Sequence, residues 1–299
     1  MDFVKSKLSI PNPDEPIFLD CLSFGGGAPK TLLISGIHGN EKSGQIIIGE
    51  LMQKLPTFIG TLTILPIANP TGFLANSRQE STSGLDLNRH FFDAVDEGLA
   101  HGIIRKIISI AKQHDCVIDL HNFTTAGLIQ VVSNHVGRAD QVATLFDPDV
   151  VRSSPAEHKN RKTGTLAQYL KESRIPYILL EVPVEHKVSR EQIDRIVSGL
   201  IAYLQGRENK NNFKAIEFDE IPHVVINLIK SEKTGEFIKN KQLALGKKIL
   251  KGDVVGEMIS DRTRNFVRSN FTGLVCEMDN DEIRIVRIGD TLIGIGESK

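Results

Sequence analysis

Thr31-Leu-Leu-Ile-Ser-Gly-Ile37 runs directly into His38-Gly-Asn-Glu41. An unbroken apolar, β-branched run with no polar alternation is the signature of a strand buried on both faces, as in a parallel sheet covered by helices. A histidine and a carboxylate three residues apart at such a strand's end can face one point outside the sheet. Eighty residues on the pattern returns, with Cys116-Val-Ile-Asp-Leu120 followed by His121. Two imidazoles and one carboxylate form the protein ligand set of a catalytic zinc site, with the fourth position open to water. The reading is therefore one zinc ion per chain, held by His38, Glu41 and His121. Water bound there has its pKa lowered to about 7. Asp86 is the favoured candidate to orient a ligand imidazole through its second nitrogen, with Asp119 as its rival.

Further apolar runs at 61–68, 128–132 and 177–182 predict more strands. Leu99, Ile103, Ile104, Ile107, Ile108 and Ala111 form one helical stripe, and Ile193, Ile196, Val197, Leu200, Ile201 and Leu204 another. Strands alternating with helices predict an α/β fold, a sheet flanked by helices. The polar stretch Gly206-Arg-Glu-Asn-Lys-Asn-Asn212 reads as a linker. Beyond it, short runs at 223–229, 254–259 and 283–288 separated by glycines predict a small all-β domain. The expected division is a catalytic domain at 1–206 and a β-rich domain at 213–299.

The chain has 299 residues, formal net charge -1 and three scattered cysteines. That balance offers no broad basic surface for nucleic acid or an acidic membrane. No run approaches the length of a membrane helix, and Met1-Asp-Phe-Val-Lys-Ser-Lys-Leu-Ser-Ile10 lacks the apolar core of a signal peptide. Few, unclustered cysteines suit a reducing compartment, so a cytoplasmic protein is expected. Oligomeric state is left open, a homo-oligomer included.

Four polar clusters follow predicted strands, where ligands bind in open α/β sheets. Besides the two histidine clusters they are Asn69-Pro-Thr-Gly72 through Arg78 to Asp86-Leu-Asn-Arg89, and Glu181 after Pro176-Tyr-Ile-Leu-Leu180. Arg89 beside Asn88 reads as an anchor for a substrate carboxylate, because a planar guanidinium forks onto both oxygens. Arg78 is placed over the oxyanion that forms when water adds to a carbonyl. A carboxylate ending an apolar strand is costly unless paired, solvated or working. Glu181 is accordingly read as the general base that later protonates the leaving amine, with Glu185 and Glu172 as rivals in polar stretches.

These motifs, in this order over residues 30–205, resemble the succinylglutamate desuccinylase/aspartoacylase family, which is related to the zinc carboxypeptidases. The resemblance implies a zinc-carboxypeptidase-like mixed sheet followed by a small barrel-sandwich-like β domain partly covering the active-site mouth. It implies zinc on His38, Glu41 and His121, catalysis by Glu181, oxyanion stabilisation by Arg78, and substrate binding by Asn88 and Arg89. Asp-Leu-His-Asn at 119–122 is especially close to aspartoacylases and adds Asn122 to the substrate-binding set. The implied substrate is a small N-acyl amino acid cleaved at its amide. A carboxypeptidase acting on a small peptide is the enzymatic alternative, and a metal-stabilised binding protein the non-enzymatic one. Aspartoacylases carry an arginine about ten residues before the catalytic glutamate and a late tyrosine. Here that region reads Lys162-Thr-Gly-Thr-Leu-Ala167 and no tyrosine follows Tyr203, so specificity for N-acetylaspartate is not implied. The second domain also resembles a lipoyl-type carrier, but its hairpin reads Asp261-Arg-Thr-Arg264 where a carrier needs lysine. It is read as structural and substrate-gating, with no catalytic group of its own.

Overall fold

The computed structural model describes residues 3–12, 15–93, 97–153, 164–206 and 217–298. Its centre is four mutually parallel strands, in spatial order Gly60–Leu65, Lys30–Ser35, Cys116–Phe123 and Tyr177–Pro183. All four fall on apolar runs recognised in the sequence, and all are buried on both faces. Strand direction alternates side chains between the faces. Leu33, Ile118, Leu120, Ile178 and Leu180 pack against the helices Ser43–Lys54, Ala139–Thr144 and Arg190–Leu204. Leu32, Ile34, Val117, Tyr177 and Leu179 pack against Leu99–Ala111 and Leu166–Glu172. Both helical stripes expected from periodicity therefore form, one on each side of the sheet.

The sheet is mixed because it is extended at both ends. On one side an antiparallel hairpin, Phe3–Ile10 with Ile17–Gly26, adds to the strand Gly60–Leu65. On the other, Gln130–Ser133 pairs antiparallel with Tyr177–Pro183 and parallel with Val150–Arg152.

Strands from beyond residue 217 continue this same sheet. His223–Lys230 pairs parallel with Val150–Arg152, covering what would otherwise be a bare edge. Thr291–Ser298, Gly273–Met278 and Lys248–Ile249 follow in order. A second sheet of four strands joins Thr263–Arg268, Val254–Ser260, Gly235–Lys239 and Ile283–Val286. Apart from one 3₁₀ turn at Phe218–Glu220, the described C-terminal elements are all strands, as the glycine-punctuated sequence predicts. The expected linker, 206–212, lies outside the described residues apart from Gly206, and Lys162 lies outside them too. Among the described residues no helix is long and apolar enough to cross a membrane.

Candidate active site

The loop after the strand Lys30–Ser35 is shaped by glycine for two different reasons. Gly36 adopts φ +68°, which an L side chain resists. Gly39 instead lies so close to the next loop that a Cβ would sit 2.0 Å from the carbonyl carbon of Gly72. The loop then turns through a Glu41 N–H to His38 carbonyl bond of 3.1 Å, bringing both side chains to one side. The helix Ser43–Lys54 starts immediately after and is tied to the other site strands. The Ser43 amide donates to Asn122 Oδ1 at 3.2 Å, and Ser43 Oγ to the Pro183 carbonyl at 2.7 Å.

His38 Nδ1 lies 2.8 Å from Glu41 Oε1, and His121 Nδ1 lies 3.0 Å from Glu41 Oε2. One donor atom from each of the three residues falls within 4.8 Å of the others, and all three residues are buried. Each imidazole is fixed from behind through its other nitrogen. Asp86 Oδ1 is 3.1 Å from His38 Nε2, and Asp119 Oδ2 is 3.0 Å from His121 Nε2. The two aspartates, rivals for one role in the sequence, thus hold one histidine each. Asp119 also accepts from the Tyr177 hydroxyl at 2.8 Å. In the sequence this tyrosine reads only as an aromatic strand residue.

Electrostatics favour a cation here. Burial pushes the Glu41 carboxyl up, but the charge and hydrogen bond of His121, then those of His38, outweigh it and hold it well below the usual carboxylate range. Burial likewise pushes His121 down, yet Asp119 and then Glu41 raise it well above an ordinary imidazole. Converging buried anions demand positive charge, and two Nδ1 atoms with a carboxylate are a donor set that zinc accepts. Replacing Asp86 or Asp119 by alanine is expected to weaken metal affinity about 10–100-fold each, the usual cost of freeing a ligand imidazole. Titration of the metal-free variants with zinc measures it, and unchanged affinity in both would refute the orienting role.

Glu181 is the register partner of His121 on the neighbouring strand. Paired residues project to the same face, so Glu181 stands beside this group with its side chain 18% exposed. Arg152 Nη1 donates to Glu181 Oε1 at 3.3 Å. Nothing in the sequence pointed to Arg152, since the pairing joins strands far apart in the chain. Of the rivals, Glu172 is exposed on a helix, where it accepts from Gln168. Glu185 lies in the turn after the strand, partly buried.

Arg78 Nε donates to Asp86 Oδ2 at 3.0 Å and Nη1 to Glu41 Oε1 at 3.3 Å, yet its side chain remains 43% exposed. It is therefore placed against the metal-ligand candidates while remaining within reach of a substrate. Its loop is ordered by Glu80, a fully buried carboxylate that accepts from Thr71, Thr82 and Ser83. Asn88 Oδ1 accepts from the Leu166 amide at 2.9 Å, while the Asn88 amide donates to Asp86. Arg89 Nη1 donates to the Asn88 carbonyl at 2.7 Å. The Asn122 amide donates to Glu41 Oε2 at 3.0 Å, while its side chain holds Ser43. The eight residues expected to hold metal, catalyse or bind substrate thus lie at or near the carboxyl ends of the central strands. A cavity of about 1100 Å³ between Thr31, Cys116, Tyr203 and Phe218 shares none of them.

The catalytic-domain model of the succinylglutamate desuccinylase/aspartoacylase family matches residues 27–207. That is more than half of the 299-residue chain, which belongs to this family. Its class is that of hydrolytic deacylases acting on small acylated molecules. No curated protein sequence matches it. Among solved structures, the chain is similar to the product-bound ectoine utilization protein EutE from Ruegeria pomeroyi. That likeness has a TM-score of 0.78 at 19% identity, covering 99% of this chain and 95% of the other. A succinylglutamate desuccinylase/aspartoacylase from Rhodobacter sphaeroides aligns with a TM-score of 0.76 at 16% identity, covering 100% and 96%. An aspartoacylase family protein from Mesorhizobium loti gives 0.70 at 21% identity, covering 99% and 96%. At these identities the likeness is one of fold, and it spans the C-terminal strands as well as the catalytic domain.

Proposed function

We propose that the protein is a zinc-dependent amidohydrolase that cleaves a small N-acyl amino acid to a carboxylate and a free amino acid. The observation that carries this reading is the convergence of His38 Nδ1, Glu41 and His121 Nδ1 beside Glu181, with Arg78 in contact. His38, Glu41 and His121 would hold one zinc ion. Zinc in such a site makes a bound water acidic and polarises an acyl oxygen. The chain's own residues supply the rest. Arg89, with Asn88, binds the free carboxylate of the substrate and so sets which bond faces the centre. Glu181 takes the proton of the attacking water on its carboxylate and passes it to the amide nitrogen as the carbon–nitrogen bond breaks. Arg78 donates to the acyl oxygen as negative charge builds there. Asn122 joins the substrate-binding set only if its Oδ1 can exchange the Ser43 amide for a ligand.

The C-terminal strands are proposed to narrow the entrance. Gly273–Met278 pairs with Ala126–Gly127, which follows the His121 strand, and Asp279 meets Lys187 in the segment after Glu181. A covered mouth favours an acyl amino acid over a peptide by steric exclusion. Cutting the chain near Asn209 to test this would strip His223–Lys230 from the sheet edge, so the test belongs in the intact protein. A reducing, cytoplasmic setting is part of the same proposal, Cys21, Cys116 and Cys276 all being buried and free.

Incubating purified protein of known metal content with a panel of N-acyl amino acids and short peptides tests the reading. Hydrolysis of acyl amino acids is expected. Faster cleavage of long peptides would replace it with the carboxypeptidase reading, and no hydrolysis in the presence of bound metal would leave a binding protein.

Arg89→Ala is expected mainly to raise KM, because a carboxylate anchor acts in ground and transition states alike. Arg78→Ala is expected mainly to lower kcat, because the oxyanion forms only on the way to products. Steady-state constants for both variants check the assignment, and exchanged patterns would reverse it.

A further inference from the structure

One buried carboxylate near Glu181 has no part in the chemistry so far. Glu277 is 4% exposed on the C-terminal strand Gly273–Met278. Several features of the fold make room for it. The pairing of its strand with Thr291–Ser298 shifts between Val275 and Glu277, a bulge that re-aims the side chain. Its register partners on both flanks are glycines, Gly127 and Gly294. A Cβ at Gly294 would stand 2.9 Å from the Glu277 Cβ and 3.2 Å from its Cγ and Cδ.

The slot opens toward the catalytic row. His121, Glu181 and Gln130 are successive register partners across three strands. Gln130 is fully buried, and its Nε2 donates to Glu277 Oε1 at 2.9 Å. Gln130 pairs in turn with Val150, and Arg152, two residues on, projects to the same face. Arg152 is the cation that attracts Glu277, yet its hydrogen bond goes to Glu181. A buried carboxylate whose hydrogen bond is to a neutral amide costs stability, and such groups persist where function needs them.

We propose that Glu277 is a positioning residue for Glu181, acting through the shared cation Arg152. This rests on the reading of Glu181 as the general base. Two carboxylates draw on one guanidinium: Arg152 meets Glu181 through a single contact of 3.3 Å while its charge also acts on Glu277. Without the charge at Glu277, Arg152 settles wholly on Glu181 and holds its carboxylate in that ion pair rather than free beside His121. The C-terminal segment would then contribute to turnover, although its sequence offered no catalytic group.

The test compares wild type and Glu277→Gln as zinc-loaded enzymes on whichever acyl amino acid the wild type cleaves. We expect kcat to fall about tenfold or more with KM within about twofold. In an Arg152→Gln background, the same substitution should change kcat by less than about twofold, since its intermediary is gone. A purely structural role would give the same fractional loss in both backgrounds and overturn the proposal. Gly294→Ala, which crowds Glu277 without touching Glu181, should reproduce the kcat loss if Glu277→Gln folds poorly.

Thermal unfolding supplies a second readout. Burial holds Glu277 above the usual carboxylate range, opposed by Gln130 and Arg152 and assisted by Glu181. The neighbouring Cys276 thiol is pushed up to about 12 by burial and adds no charge. An acid raised in the folded state loses the protein stability as pH climbs from the unfolded pKa through the folded one. Glu277→Gln should therefore melt higher than wild type near pH ~8, the gap closing toward pH ~4. A lower melting temperature at both pH values would make Glu277 structural and overturn the proposal. A wild type that cleaves nothing would fail the deacylase reading and this inference together; an active wild type with Glu277→Gln at full kcat would fail the inference alone.

Discussion

Replacing His38 or His121 by alanine is expected to abolish zinc binding and hydrolysis together. Each histidine supplies one of three convergent donor atoms, and each is backed by its own aspartate. With one imidazole gone, the remaining histidine and Glu41 offer too few donors for a site that must keep one position open. Glu41 would also lose one of the two imidazoles that balance its buried charge, so some loss of stability is expected as well. Elemental analysis of each purified variant, read beside its circular dichroism, checks this. Full zinc content in both folded variants would show that the ligands lie elsewhere.

Glu181→Gln is expected to retain fold and zinc while losing about 10²–10⁴ in kcat, the usual scale for a positioned proton-transfer group. Glutamine keeps the shape and can still accept from Arg152, so the loss reports proton transfer rather than packing. The expectation rests on the register that sets Glu181 beside His121, together with its partial exposure. Turnover near that of wild type would move the role to another group, with Glu185 next in position. A proportional loss of zinc would instead make Glu181 part of the metal site.

What could be read in the sequence was whatever is local or strongly periodic. The strands Lys30–Ser35, Cys116–Phe123 and Tyr177–Pro183 are mostly apolar and buried, and the polar residues toward their carboxyl ends stand out against that background. His38 and Glu41 share one turn, so their spacing alone brings them together. The expected strand at 61–68 ends at Leu65 because Pro66 has no N–H to extend the ladder. The hairpin Phe3–Ile10 with Ile17–Gly26 escaped notice because its first strand is almost entirely exposed and lacks a buried alternating face.

Contacts made only by register were not legible. Arg152 meets Glu181 across a strand inserted between theirs, and Glu277 arrives at Gln130 from 147 residues away. No local pattern marks either one. The nearest signal was two glycines, Gly294 and Gly127, which in sequence read as ordinary turn or strand glycines. Asp86 and Asp119 were legible as a pair but not as a division of labour, since only the fold shows that each faces a different imidazole.

On the proposed function, a metal held by His38, Glu41 and His121 is required for cleavage of an acyl amino acid. This can be checked by stripping the protein with a chelator, confirming the loss by elemental analysis, and following hydrolysis as zinc is added back. Activity should vanish with the metal and return in proportion to zinc, saturating at about one ion per chain. Undiminished hydrolysis by metal-free protein would rule out a metal-dependent reaction.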